Sequence, residues 1–217
     1  MPATTVAVYE RRAMVRLYDF LPSGNGYKVR LLLSQLAIAF ELVEVDILKG
    51  ETRTRAFLAK NPNGRIPVVE LEDGTYLAES GAILWYFAEG TPFLSSERRE
   101  RAQTLQWMFF EQYSHEPYIA VARAWLHLFG LDDERRRQLP HKQQLGYDAL
   151  AVMEGHLASR PFFVANRYTI ADIALYAYTH VAPEGGFDLA RVPNVRAWLD
   201  RVRNQPRHIE ITKRDFR

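Results

Sequence analysis

The sequence predicts two structural units in series, a small mixed α/β sheet unit followed by an all-helical one. Three observations carry that prediction. Residues 14–91 alternate short strand-like apolar runs with helical patterns. After Thr91-Pro92 the strand signals vanish and long helical periodicities take over. The stretch NPNGRIPVVELEDGTYLAESGAILWYFAE at 61–89 joins a proline-headed strand, an acidic turn, a second strand and a polar pair opening an apolar helix.

Taken in order, Val15 to Phe20 reads as a strand, and the turn-rich LPSGNG leads into a helix with Val29, Leu32, Leu33 and Leu36 on one face. Phe40 to Asp46 is a second strand. Glu51 to Lys60 reads as a short helix that stops at Asn61-Pro62-Asn63-Gly64. Pro67 lacks an amide donor, so it heads its strand, Val68 to Leu71, instead of sitting inside it. Glu72-Asp73-Gly74 is a hairpin turn into Thr75 to Ala78, and Ser80 is the expected cap of a helix carrying Ile83, Leu84 and Phe87. This β-α-β-α-β-β-α order is economically read as a thioredoxin-like domain.

In the second half, Arg98 to Glu116 carries Leu105, Phe109 and Tyr113 at spacing four, with Pro117 expected to kink the helix before Ile119, Ala122 and Leu126 continue it. His141 to Leu157 repeats the pattern. Thr169-Ile170-Ala171-Asp172 resembles a capping box with Asp in place of Glu, and Pro193 opens a helix bearing Val195, Trp198, Leu199 and Val202. The domain reading is residues 1–13 as a flexible N-terminal extension, 14–91 as the α/β domain, 92–98 as linker and 99–217 as the helical domain.

The 217 residues suffice for a sizeable core, and 47% hydrophobic with 25% charged residues is ordinary for a soluble globular protein. A net charge of +2 without a basic cluster interleaved with aromatics argues against nucleic acid. No run approaches the ~18 apolar residues of a membrane span. There is no cysteine, which excludes a disulfide framework, a thiolate metal site and a cysteine nucleophile. Any thiol chemistry must use a thiol brought by a substrate. The expected compartment is the cytoplasm. His115 beside Glu116 has no metal-ligand spacing around it, so no metal is expected.

The 61–89 stretch has the makings of a site for a peptide-like anion. Were the Ile66-Pro67 bond cis, the Ile66 backbone could turn outward to pair with an extended peptide. The amides at the start of the Ser80 helix favour a carboxylate, and Glu79 offers a partner for an ammonium. A ligand with an α-amino acid head and a peptide backbone suits both.

Four segments together resemble the cytosolic glutathione transferase superfamily, over nearly the whole chain from Met14 to Arg207: SGNGYKVRLLL (23–33), NPNGRIPVVE (61–70), AES (78–80) and YTIADIALY (168–176). The likeness is to bacterial serine/asparagine-type members, resembling the nu-like and theta/phi-like ones. The resemblance implies the glutathione transferase fold and a homodimer, with glutathione as co-substrate in the N-terminal domain and an apolar pocket for a small electrophile in the helical one. By position, Ile66 and Pro67 hold the cysteinyl backbone, Glu79 and Ser80 the γ-glutamyl end, and Arg53 and Arg65 a carboxylate of the tripeptide. Ser23 and Asn25 are the candidate donors to the thiolate. Tyrosine-type members place a phenol near what is here Asp19, and cysteine-type members need a residue this chain lacks. Tyr113, His115, Tyr118 and Arg123, around the Pro117 kink, are the expected second-substrate residues.

A free thiol with pKa near ~8.5 is a few per cent ionised at neutral pH, so activation means lowering it by about two units, roughly 2.7 kcal/mol. A hydrogen bond to the charged sulfur contributes ~1.5–3 kcal/mol and a helix N-terminus ~0.3–1. Conjugation is the expected reaction. Glutathione-dependent peroxidase or disulfide reductase activity is the enzymatic alternative, and a non-catalytic binding or stress-regulatory protein is the alternative of another class.

Overall fold

The computed structural model describes residues 14–216, and the reading of residues 1–13 lies outside them. Strands β1 (Val15–Asp19), β2 (Phe40–Glu44), β3 (Val68–Glu70) and β4 (Tyr76–Ala78) form one mixed sheet in the order β2-β1-β3-β4. The first two pair in parallel, Leu17 opposite Leu42, while β3 runs antiparallel to both β1 and β4, Val69 opposite Leu17 and Leu77. The hairpin closes as its composition demands, with Gly74 at φ 83 and the Asp73 carboxylate accepting the Thr75 amide at 2.8 Å.

Helix α1 (Gly24–Gln35) crosses from β1 to β2, with Ser23 as its N-cap accepting from the Gly26 amide at 3.3 Å. Val29, Leu32 and Leu33 are buried as the periodicity predicts, but so are Lys28 and Arg30. Arg30 is satisfied by the Asp19 carboxylate at 3.0 Å and by the carbonyls of Leu21 and Ile211. Burial pushes Asp19 up to about 7 against the opposing charge of Arg30. A side chain at position 26 would land on that carboxylate, its Cβ within 1.7 Å of Oδ1, so only glycine fits.

The Glu51–Lys60 segment forms a 3₁₀ turn and helix α2 (Arg55–Leu58). Helix α3 (Ser80–Ala88) begins on Ser80 itself, so Glu79 and not Ser80 is the cap residue, and no side chain caps it. Helices α4 (Arg98–Phe110), α5 (Glu116–Arg123), α6 (Asp133–Leu157), α7 (Ile170–Thr179) and α8 (Pro193–Arg203) complete the chain. The expected kink at Pro117 takes another form. A wider π turn over Glu111–His115 joins α4 to α5, and Pro117 sits in the first turn of α5, directly after it. Helix α6 starts eight residues ahead of its legible pattern and carries Pro140 within it.

Helix α7 is buried along its whole length. The capping box forms as predicted, and the Asp172 carboxylate also accepts from the Trp198 indole at 2.9 Å, locking α8 against α7. Helix α7 packs on α1, and Leu31, Leu32, Leu84, Ile119, Leu150 and Ile173 belong to one core that spans sheet side and helical side. That shared core holds the N-terminus of α1 against α4, α5 and α7.

Candidate functional site

A cleft of about 370 Å³ opens where the N-termini of α1 and α3 converge on the loop before β3. Ser23, Asn25, Arg53, Arg65, Ile66, Pro67, Glu79 and Ser80, predicted from four separate segments, all line it. The structure adds Gln112 and Glu116 from the helical side. The Ile66-Pro67 bond is cis. Asn61, buried beneath the loop, donates from its side-chain amide to the Arg65 carbonyl at 2.8 Å and accepts from the Asn63 amide at 3.1 Å, which shapes the turn carrying Arg65 and Ile66. Arg53 donates to the Asn63 carbonyl at 3.2 Å from the other side.

Glu79 has φ 68 and ψ 114, a conformation that L-residues other than glycine rarely adopt. Such a residue costs on the order of 1–3 kcal/mol and persists only where its surroundings impose it. Here the strand pairing of Ala78 on one side and the helix beginning at Ser80 on the other leave a single residue to reverse the chain. The reversal leaves the Glu79 carboxylate exposed at the cleft and aims the uncapped amides of the first α3 turn at the same space.

Behind the cleft lies a charge network outside the sequence expectations. Lys28 Nζ donates to Asn25 Oδ1 at 2.7 Å, Glu111 Oε2 at 2.8 Å and Glu116 Oε2 at 3.4 Å. Glu116 in turn accepts from the Asn25 side-chain amide at 2.7 Å and from Gln112 at 3.2 Å. Asn25 Oδ1 also accepts from the Ser80 hydroxyl at 3.2 Å. Both lone pairs of that oxygen and one amide hydrogen are thus in use, leaving Asn25 a single free donor. Burial opposes the charge on Lys28, but the two carboxylates outweigh it and leave its pKa raised. Burial pushes Glu111 up to about 7 against the Lys28 charge, and its Oε1 has no partner.

Glu111 and Glu116 are five residues apart, which on an α-helix places them about 140° apart around the axis. The π turn brings them onto one face. The one signal in the sequence was Lys28 between Tyr27 and Val29, a charge inside a buried helix that must have a partner. Its acidic partners lie 83 and 88 residues away, where no local pattern points.

The four expected second-substrate residues do not meet, and none lines the cleft. His115 is fully buried, its Nε2 2.9 Å from the Thr179 hydroxyl, and burial lowers its pKa to about 3. Arg123 is 4% exposed and donates to the Pro22 carbonyl at 2.7 Å and to Glu184 at 2.6 Å, tying α5 to the loop before α1. Tyr118 lies under Lys142, and Tyr113 is 85% exposed on the outer surface. The extra residue in the π turn breaks the spacing-four stripe and turns these side chains in different directions. Asp19, at the tyrosine-type position, is buried with Arg30 and cannot reach the cleft.

A second cavity, of about 740 Å³, lies between α3 and α4. Its walls are Leu77, Trp85, Tyr86, Leu105, Met108 and Phe109, and Lys28 and Glu111 line its polar end. Tyr86 and Phe109 are 53% and 68% exposed, an apolar face of the kind that marks association. Among the described residues no group of three or more His, Asp or Glu is placed to hold a metal, and no helix is long and apolar enough to cross a membrane.

Comparison with known proteins places this geometry. The family model of the glutathione S-transferase N-terminal domain matches residues 13–89, and that of the C-terminal domain matches residues 108–206. The chain is similar to the crystal structure of a glutathione S-transferase from Pseudomonas fluorescens, with 56% identity, TM-score 0.90, and 92% of this chain and 100% of that one covered. It is 35% identical over 202 residues to disulfide-bond oxidoreductase YfcG of Escherichia coli, covering 89% of this chain and 92% of that protein. The fold is shared with the Phanerochaete chrysosporium glutathione transferase URE2P8, crystallised with oxidized glutathione, at 24% identity and TM-score 0.82 over 91% and 93% of the two chains. With both domain models matched in order and a strand-for-strand sheet expected of the fold, the chain belongs to the glutathione S-transferase family.

Proposed function

We propose that this protein binds glutathione in the cleft and holds it as a thiolate for attack on an electrophile. The observation that carries this reading is convergence: eight residues, chosen from four separate stretches of sequence, line one cleft. Glu79 suits the ammonium and the α3 amides with Ser80 suit the carboxylate of a γ-glutamyl group, the Ile66 backbone suits the cysteinyl unit, and Arg53 and Arg65 suit the glycyl carboxylate. Ser23 is the thiol donor. Asn25, already bonded to Lys28, Ser80 and Glu116, serves as framework.

Conjugation is the leading reaction, with the thiolate displacing a leaving group or adding to an activated double bond. Thiol–disulfide exchange is a second reading with its own support: the cleft beside Ser23 is lined chiefly by polar residues, and a relative at 35% identity carries the name disulfide-bond oxidoreductase. In that reaction the thiolate attacks one sulfur of a small disulfide, a mixed disulfide forms and a thiolate leaves. A second glutathione thiolate then attacks the glutathione sulfur of that mixed disulfide, forming oxidized glutathione and expelling the remaining substrate thiolate, since the chain has no cysteine to take that role. We further propose a homodimer through the α3–α4 face, where Tyr86 and Phe109 stand exposed, in the cytoplasm.

Titration calorimetry with glutathione tests the binding, and turnover of a chloronitrobenzene, an organic hydroperoxide and a small disulfide separates the reactions. No heat at millimolar glutathione would leave a scaffold of the same fold as the better reading. Turnover of the disulfide alone would displace conjugation.

A further inference from the structure

Helix α5 meets the chain on both sides of Ser23. Its last residue, Arg123, donates from Nη1 to the Pro22 carbonyl at 2.7 Å, and its first, Glu116, accepts the Asn25 side-chain amide at 2.7 Å. The two are seven residues apart, close to two full turns, so they share one face of the helix and straddle the serine between them.

The two contacts act differently. Glu116 lines the cleft and holds a side chain, whereas Arg123 lies outside the cleft and holds the peptide group that joins Pro22 to Ser23. That group is planar, so fixing its carbonyl fixes the direction in which the Ser23 backbone leaves it. The rest of the loop is equally tied: the Phe20 carbonyl accepts the Ser23 amide at 2.7 Å, and the Leu21 carbonyl accepts from Arg30 Nη2 at 2.6 Å. Arg30 rides on α1, the helix that Ser23 caps, and so moves with the serine. Arg123 refers the serine to the helical domain.

The guanidinium is itself aimed. Its Nε donates to Glu184 Oε2 at 2.6 Å, and because the group is planar, the direction of Nη1 is then set as well. Gly185, beside Glu184, packs on the Arg123 backbone so closely that a Cβ there would fall 2.9 Å from the Arg123 amide nitrogen. Gln143 donates to the Gly185 carbonyl at 2.9 Å and holds that turn in place.

We propose that Arg123 is a positioning residue for thiol activation: by gripping the Pro22 carbonyl it sets the Ser23 hydroxyl against the sulfur of bound glutathione. This rests on the glutathione reading above. It gives the helical domain a part in the thiol chemistry through a buried side chain that does not line the cleft.

Ultraviolet titration of the glutathione thiolate bound to full-length wild type, Arg123→Met, Ser23→Ala and the double variant reads the placement of the serine. Calorimetry with S-methylglutathione, which has no thiol to ionise, reads the rest of the cradle. Methionine keeps the unbranched stem without the guanidinium, and the Glu184 side chain, 34% exposed, can turn to water. Arg123→Met is expected to raise the bound thiol's pKa by about half a unit, roughly threefold in thiolate, with S-methylglutathione affinity within about twofold of wild type. In the Ser23→Ala background the same change is expected to have no further effect. An unchanged pKa in Arg123→Met, a shift that simply adds to that of Ser23→Ala, or a larger loss of S-methylglutathione affinity would overturn the inference while leaving the glutathione reading intact. Absence of a bound thiolate in wild type removes both. Should Arg123→Met fold poorly, Glu184→Ala keeps the guanidinium and removes what aims it. That variant is expected to shift the pKa in the same direction, by about twofold in thiolate, and no movement there counts against the proposal.

Discussion

Lys28 Nζ lies 2.8 Å from Glu111 Oε2 with 2% and 3% of the two side chains exposed, a buried pair at the junction of the sheet domain and the helical domain. Together with Glu116 it forms the polar floor beneath Asn25 and Ser80. Charges taken out of water cost several kcal/mol each unless paired, so this cluster is sensitive to the loss of one member.

Lys28→Met strands two carboxylates and is expected to lower stability by about 3–5 kcal/mol in urea denaturation. The double variant Lys28→Met/Glu111→Gln removes the more buried of the two charges and is expected to recover part of that loss. If the double variant is no more stable than the single one, the pair does not act as a charge pair.

Glu79 sets stability against binding. Glu79→Gly relieves the left-handed φ of 68 and is expected to raise the melting temperature, by the equivalent of about 1 kcal/mol, while weakening glutathione binding at least tenfold through loss of the carboxylate. Thermal unfolding and calorimetry on the same sample give both numbers. Equal affinity in the variant would remove Glu79 from the ammonium site.

His115 sets an acid response. The Thr179 hydroxyl donates to the Leu175 carbonyl, so His115 Nε2 carries the hydrogen that the hydroxyl oxygen accepts, and Nδ1 is left without a partner. The folded pKa of about 3 is below the ordinary 6.5. Between those values the unfolded chain binds a proton that the native one refuses, so stability falls as pH drops from about 6.5 toward 3, by at most ~1.4 kcal/mol per pH unit. His115→Gln is expected to flatten that slope when unfolding free energy is measured across pH 4 to 7. Glu111, with its raised pKa, has the opposite sign over about 4.5 to 7, so the comparison between variant and parent is the informative quantity.

The exposed aromatics on α3 and α4 are a further target. For the proposed dimer, Phe109→Asp is expected to shift sedimentation from dimer to monomer in analytical ultracentrifugation, with the far-ultraviolet circular dichroism unchanged because Phe109 is 68% exposed in the single chain. A variant that sediments like the parent would move the interface elsewhere.

Much of the site is legible residue by residue because its signals are local. A proline must head a strand, Glu72-Asp73-Gly74 must turn, Asp172 three residues after Thr169 must box the start of α7, and a serine before a glycine-rich helix start must cap it. Such constraints act over a few residues, so the positions of Ser23, Ile66, Pro67, Glu79 and Ser80 along the chain carry through to the cleft. Where two local solutions were close in energy the reading slipped by one residue, as with the cap of α3, which falls on Glu79 because the chain reverses there.

What the amino-acid order determined by itself is the pair of domains, the order of their elements and one wall of the cleft, since each follows from backbone chemistry acting between near neighbours. Tertiary structure alone decided that Lys28 is buried against Glu111 and Glu116, that the Tyr178 phenol reaches the Asn25 amide, and that His115 and Arg123 turn into the interior. The physical reason is range. A buried charge or phenol is stable only beside a partner, that partner can lie 83 or 153 residues away, and a π turn in place of an α turn chooses which side chains face it.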